Sequence, residues 1–334
     1  MKLKVRLICV ICCLYSLNIS DLAEACSELF IDREGIKIAG RTMDWGDDKF
    51  VVVINPRGIA REAGQVTHKD EPVKWVSKYG SVTFNIYVEE SPQGATDGMN
   101  EHGLSAAALW MTASKYPAED FRPVLDDGAW VQYCLDNFKT VDEIIADAPG
   151  LRVKADKYFG KVVALHLYIH DPSGNSAILE YIEGNLAIYH GFPLSTEALT
   201  NDPYAVNLAG LNDYKDFGGK KPLPGGYGHE ARFVRAAAYL ESLPKAMSRS
   251  EAIAYAFNGM SDVAQPLGVS SWTTQWTVVR DLTEKKIQFR NITNANIRTV
   301  DLNKIDFTSE SQIKILDIAA DLSGDITEKF KVCK

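Results

Sequence analysis

The order of its apolar runs narrows the fold of this chain more than any other feature. Residues 27–32, 36–44, 50–54, 81–88 and 104–110 are short apolar stretches broken by turn residues. Residues 81–88 alternate, with Val82, Phe84, Ile86 and Val88 on one side, the period of a half-buried strand. Residues 163–170 and 177–182 flank Asp171-Pro172-Ser173-Gly174-Asn175 and predict a hairpin, and 186–189 follows a Glu183-Gly184-Asn185 turn. Residues 274–281 and 286–291 predict a second hairpin. Helical signals gather between these groups. They cover 126–138, a segment opened by a Thr140/Glu143 capping box, 230–243, and one capped by Ser248 and Glu251. Antiparallel strands separated by blocks of helix predict α+β layers and exclude a βαβ alternation. Residues 211–228, rich in Gly, Pro, Lys and Asp, read as a long surface loop of the kind that often carries function. No repeat and no boundary divides residues 26–334, which read as a single domain.

The first residues read as an export signal. Lys2, Lys4 and Arg6 precede an apolar stretch over 7–17 that is too short to span a bilayer, and Ala23-Glu24-Ala25 is an Ala-x-Ala cleavage pattern. Residues 1–25 are therefore predicted to be a signal peptide, and the mature chain to be periplasmic or secreted with no stable membrane insertion. An uncleaved anchor and a lipoprotein lipidated at Cys26 are the alternatives. The short apolar stretch disfavours the first and Glu24 the second. Ordinary cleavage leaves Cys26 as the first residue, carrying a thiol and a free α-amine together. A thiol needs a base to become a good nucleophile. An α-amine, with a reference pKa of roughly 7.7–8.0, can take a proton near neutrality.

The bulk numbers exclude other classes. A net charge of −8 and the absence of a basic stripe argue against nucleic acid as a partner. Three of six cysteines fall in the leader, leaving Cys26, Cys134 and Cys333, so at least one thiol is free or pairs between molecules. Cys134 and Cys333 fit a disulfide and two separate thiols equally well. No Cys-x-x-Cys pair or His/Cys cluster suggests a metal, and no cofactor is implied. His166 and His170 share one face of a predicted strand and read as structural.

Several motifs then fall in one order. Cys26 is followed by Gly40-Arg41-Thr42-Met43-Asp44-Trp45, Asn55-Pro56-Arg57-Gly58 and Asp97-Gly98-Met99-Asn100-Glu101-His102-Gly103-Leu104. Leu199-Thr200-Asn201-Asp202-Pro203, Arg232-Phe233-Val234-Arg235-Ala236-Ala237, and Thr274-Gln275-Trp276-Thr277 with Arg280-Asp281 complete the set. Across nearly the whole chain beyond residue 25, this resembles the choloylglycine hydrolase and penicillin V acylase family. The resemblance implies a four-layer αββα sandwich of the N-terminal nucleophile hydrolase type, often homotetrameric, that cleaves linear non-peptide amides. It implies Cys26 as nucleophile and, through its amine, proton carrier, with Arg41 beside the sulfur and Asp44 on the amine. The Asn201 side chain and the Asn100 backbone N–H would be oxyanion donors, and Arg232, rather than Arg235, would hold the polar network. Glu101 and His102 read as structural.

Leu109-Trp110-Met111 and Lys115-Tyr116-Pro117 resemble the signal-bearing Gram-negative subgroup, implying an acylated small-molecule substrate of the penicillin V or N-acyl homoserine lactone type. Conjugated bile salts are the alternative. Trp110 is a candidate for an acyl pocket, whereas Trp45, Trp272 and Trp276 fit a core at least as well. Two other classes stand beside this one. A secreted or lipid-anchored binding protein would lack turnover. A papain-like protease would need His166, His170, His190 or His229 as a partner for the cysteine.

Overall fold

A computed structural model describes residues 26–46, 49–64, 70–88, 90–158, 161–268 and 272–333, and the predicted leader lies outside them. The apolar runs pair into two antiparallel sheets. In the first, β1 (Cys26–Arg33) and β2 (Ile36–Trp45) form a hairpin whose register sets Cys26 opposite Met43. Ala198–Leu199 flanks β1, and Thr273–Asp281, Lys286–Asn291, Asn294–Asp301 and Gly324–Asp325 continue beyond β2, making seven strands; only the last pair is parallel. The second sheet has nine strands. Its order is Asn185–His190, Ser176–Ile182, Leu165–His170, Ser105–Trp110, Ser91–Asn100, Ser81–Val88, β3 (Phe50–Asn55), Lys314–Asp317 and Lys331–Val332.

Helices close both outer faces. α1 (Trp130–Asn137) and α2 (Val141–Asp147) lie on the nine-stranded sheet. α3 (Tyr204–Leu211) packs on α4 (His229–Ser242), and α4 and α5 (Arg249–Asp262) lie on the seven-stranded sheet. One apolar core, with Phe30, Phe84, Ile178 and Trp276, fills the space between the sheets and continues beneath α4 and α5. A second, with Leu104, Leu135, Ile144 and Ile169, lies under α1 and α2. The result is the αββα sandwich. Among the described residues no helix is long and apolar enough to cross a membrane.

The structure departs from the sequence reading in three places. Ser91–Asn100 looks like turn sequence, with Pro92, Gly94 and Gly98, yet forms an interior strand of the larger sheet. Close packing explains Gly98: a Cβ there would stand 2.7 Å from the Val82 carbonyl oxygen and 2.8 Å from the Leu135 side chain of α1. The second departure is α3, a helix outside the expected set, which starts directly after the Asn201-Asp202-Pro203 turn. The third is the 126–138 segment, which opens as a 3-10 turn, Asp127–Ala129, capped by Asp126, before α1 begins. The Ser248/Glu251 capping box is complete. At Thr140 the hydroxyl caps the Glu143 N–H, but the Glu143 carboxylate accepts from Lys139 instead.

Candidate active site

Five polar residues converge at the open end of the β1–β2 hairpin. Strand alternation puts Arg41 and Met43 on one face of β2 and Thr42 and Asp44 on the other. Cys26, at the start of β1, sits where both groups can reach it. The strand Ala198–Leu199 pairs with Leu29 and Glu28, so the chain leaving it brings Asn201 alongside Cys26. Arg232 arrives from the first turns of α4.

The distances are those of a connected network. The Cys26 backbone N–H donates to Asn201 Oδ1 at 2.8 Å, and Arg232 Nη2 donates to the same oxygen at 2.7 Å. Because a guanidinium only donates, this fixes the orientation of the Asn201 amide. Its Nδ2 donates one proton to the Trp110 carbonyl at 2.7 Å and keeps a second. Arg232 Nη1 donates to the Cys26 carbonyl and to Ser27 Oγ, each at 2.6 Å. Arg41 Nη2 lies 3.7 Å from the Cys26 sulfur and donates to the Ala108 carbonyl at 2.6 Å. All five residues are buried.

The electrostatics follow from that burial. Desolvation pushes the Cys26 thiol up, while the Arg41 guanidinium and a hydrogen bond from the Asp44 backbone pull it down. Burial lifts Asp44 to about 7 against the pull of Arg232, the Thr274 hydroxyl and Arg41. Thr274 reaches Asp44 Oδ1, helped by a bulge at Gln275 that shifts the register against β2, whereas Oδ2 has no partner. A free α-amine on residue 26 would add donors in this neighbourhood, and an unpaired carboxylate oxygen can accept from one of them.

Above the sulfur lies a narrow apolar cavity of about 40 Å³, lined by Met43, Trp45, Ile86, Trp110, Val163 and Leu165 among others. Trp45, Trp110 and Trp272 form a triangle with ring centroids 5.3–5.7 Å apart. For Trp45, Trp272 and Trp276 the sequence fits a core at least as well as a pocket. Of these three, Trp276 lies in the core, packed on Phe50 and Phe84, whereas Trp45 and Trp272 join Trp110.

The structure brings together Cys26, Arg41, Asp44, Asn201, Arg232 and Trp110, but not Asn100. The Asn100 N–H donates to the Leu104 carbonyl at 2.9 Å, its Nδ2 to the carbonyls of Leu135 and Phe138 at 2.9 and 2.8 Å, and its Oδ1 accepts from His102 and Leu104. Asn100 is the clasp of the turn between two strands, and its backbone N–H is not a free oxyanion donor. Arg235, three residues after Arg232, turns away to the carbonyls of Pro224, Gly226 and Asp262. Glu101 holds Arg57 and the Gly80 N–H.

None of the four candidate histidines bonds Cys26: His166 meets Glu180, His170 meets Glu28, His190 meets Asn175 and His229 meets Asp202. Cys134 and Cys333 are free thiols. Among the described residues no cluster of His, Cys, Asp and Glu could hold a metal. Sequence reasoning missed Met43, whose sulfur is 3.9 Å from that of Cys26, and Thr274; both stood inside the quoted motifs without a role.

A family model described as linear amide C–N hydrolases, choloylglycine hydrolase family, matches residues 26–316. The chain belongs to this family. It is an amidohydrolase acting on linear amides. A penicillin V acylase from Pectobacterium atrosepticum is 34% identical over 298 residues, covering 81% of this chain and 78% of the relative. The solved structure of penicillin V acylase from Agrobacterium tumefaciens is 33% identical, with a TM-score of 0.79 over 92% of this chain and 98% of that one. A variant of conjugated bile acid hydrolase from Clostridium perfringens, 21% identical with a TM-score of 0.72 over 87% of this chain and 96% of that one, shares the fold. The αββα architecture thus agrees with that of the family.

Proposed function

We propose that this amidohydrolase works from residue 26 as a new N-terminus, released outside the cytoplasm by removal of residues 1–25, and that it cleaves aryl- or fatty-acyl amides of the penicillin V or N-acyl homoserine lactone type. The observation that carries the reading is the convergence on Cys26: its N, O and Sγ are each held by a different buried polar group at the floor of an apolar cavity.

The sulfur attacks the amide carbon and the α-amine takes the thiol proton. The tetrahedral oxyanion collects the spare Nδ2 proton of Asn201. As the C–N bond breaks, the ammonium returns a proton to the leaving amine, which leaves a thioester. Water activated by the same amine then hydrolyses the thioester. Arg41 favours the thiolate during attack, and Arg232 fixes Asn201 and the Cys26 carbonyl so that neither drifts as charge develops. The likeness to the two penicillin V acylases supports the choice of acyl amide, as do the tryptophans over the cavity. The apolar lining of the cavity, with Trp45, Ile86 and Trp110 beside Cys26, suits an aryl or aliphatic acyl chain.

The test combines mass spectrometry of the purified N-terminus with hydrolysis of penicillin V, an acyl homoserine lactone and a conjugated bile salt. Cys26→Ala should abolish turnover of every substrate that the wild type cleaves. Hydrolysis that survives Cys26→Ala, or full activity with residue 25 still attached, overturns the mechanism. Turnover of bile salts alone replaces the substrate class.

A further inference from the structure

Arg41 does not stand alone between the sheets. Its Nη1 faces Asp97 Oδ2 at 3.4 Å, and the same carboxylate oxygen accepts from Arg280 Nη1 at 2.8 Å. Arg280 Nη2 pairs with Glu28 Oε1, which also meets His170 Nε2 at 3.2 Å. Arg41, Arg280 and Glu28 come from the seven-stranded sheet, and Asp97 and His170 from the nine-stranded one. All five side chains are at most 1% exposed. Two cations and two anions thus form a chain across the mid-plane of the molecule, and one end of it touches the reactive sulfur.

We propose that Asp97 and Arg280 are positioning residues that hold the Arg41 guanidinium against the Cys26 sulfur. The unequal sharing of Asp97 carries this. Arg280 takes the shorter contact, at 2.8 Å, and leaves Arg41 the longer one, at 3.4 Å. Asp97 therefore orients the Arg41 fork, with Nη1 toward itself and the Thr96 carbonyl, without neutralising it. Nη2 is left to serve the sulfur and the Ala108 carbonyl. Without Arg280, Asp97 would close onto Arg41 and draw its charge away from the thiol. Glu28 in turn balances Arg280. Asp44 and Arg232 also face Cys26, from β2 and α4, and are untouched by these changes. The inference rests on Cys26 being the nucleophile, but its test reads the thiol directly.

The experiment is alkylation of the processed enzyme by iodoacetamide across pH, followed at the Cys26 peptide by mass spectrometry so that Cys134 and Cys333 do not interfere. Arg280→Met should move the alkylation midpoint upward by about one pH unit, making Cys26 roughly tenfold slower to react near neutrality. Arg280→Lys should restore part of that loss. Glu28→Gln, which leaves Arg280 fully charged beside Asp97, should move the midpoint downward. Loosening of the fold cannot move the two variants in opposite directions. If Arg280→Met does not fold, the Arg280→Lys and Glu28→Gln pair still gives an opposed, smaller displacement. Midpoints that stay together or move the same way overturn the proposal and leave Cys26 as nucleophile. A wild-type Cys26 that never reacts removes the nucleophile reading, and this inference with it.

Discussion

Two asparagines in this molecule sit in similar sequence surroundings, one at the end of a strand and one just past it, and both carried the same expected role. At Asn100 every polar atom is used: the amide clasps the end of α1 and the turn to Leu104. At Asn201 the carbonyl oxygen is held by Cys26 and Arg232, while one of the two amide protons remains uncommitted. Full satisfaction marks a residue that shapes the fold, and a held side chain with a proton in reserve marks one that can meet charge not yet formed. The same contrast separates Arg235, bound to three carbonyls, from Arg232, bound to the backbone of Cys26 itself.

Substituting the two asparagines tests this contrast most strongly. Asn201→Ala should lower kcat by about 10²–10³-fold, the usual cost of one oxyanion donor, with the fold retained. Asn100→Ala should do the reverse. It strips partners from two carbonyls and two N–H groups and should cost roughly 2–4 kcal/mol of stability, while the protein that remains folded turns over normally. Steady-state kinetics beside chemical denaturation reads both. A kcat loss for Asn100→Ala as large as that for Asn201→Ala would mean that the clasp is catalytic after all and would break the distinction.

A smaller effect sharpens the structural half of the comparison. Gly98, two residues before Asn100, lets α1 approach the sheet. Gly98→Ala should cost about 1–3 kcal/mol through overpacking, visible as a lower denaturation midpoint, with little change in KM. An unchanged midpoint would show that α1 can retreat without loss.

The sequence reached far into this site because the groups it needed are side chains in fixed motifs. Cys26 stands out from the cleavage pattern itself, Arg41, Asp44, Asn201 and Arg232 are legible through the resemblance of their motifs to the family, and the layered arrangement follows from hairpin signals and helix caps. What stayed illegible is what depends on space. Whether the Asn100 N–H is free depends on a turn that returns it to Leu104. That Ser91–Asn100 is a strand depends on pairing with the strands on either side, and Gly98 leaves α1 room to pack on it. The ion chain through Asp97 and Arg280 joins residues 183 apart, and no spacing rule would pair them. Trp45 fits a core by composition, and only the geometry of the strand ends sets it beside Trp110 over the cavity.

The smallest expected effect concerns the carboxylate of Asp44, close to Cys26. Asp44 is lifted by burial to about 7 from an ordinary 3.8, and Asp97 to about 6. For an acid raised on folding, the native state binds the proton more tightly. Stability is therefore greatest at low pH and is lost as pH climbs from the unfolded value through the folded one. Each such group contributes a slope of at most about 1.4 kcal/mol per pH unit. Of these two acids, both contribute below pH 6, and between 6 and 7 it is the Asp44 share that remains. Asp44→Asn should flatten the stability profile in that interval in the chain that still carries residues 1–25, as read from urea midpoints at closely spaced pH. Cleavage after residue 25 would place a cationic amine near the carboxylate and pull it down, so the wild-type slope should shift to lower pH once the leader is removed. Identical profiles before and after cleavage would separate Asp44 from the amine and leave Asn201 as the group that holds the new terminus.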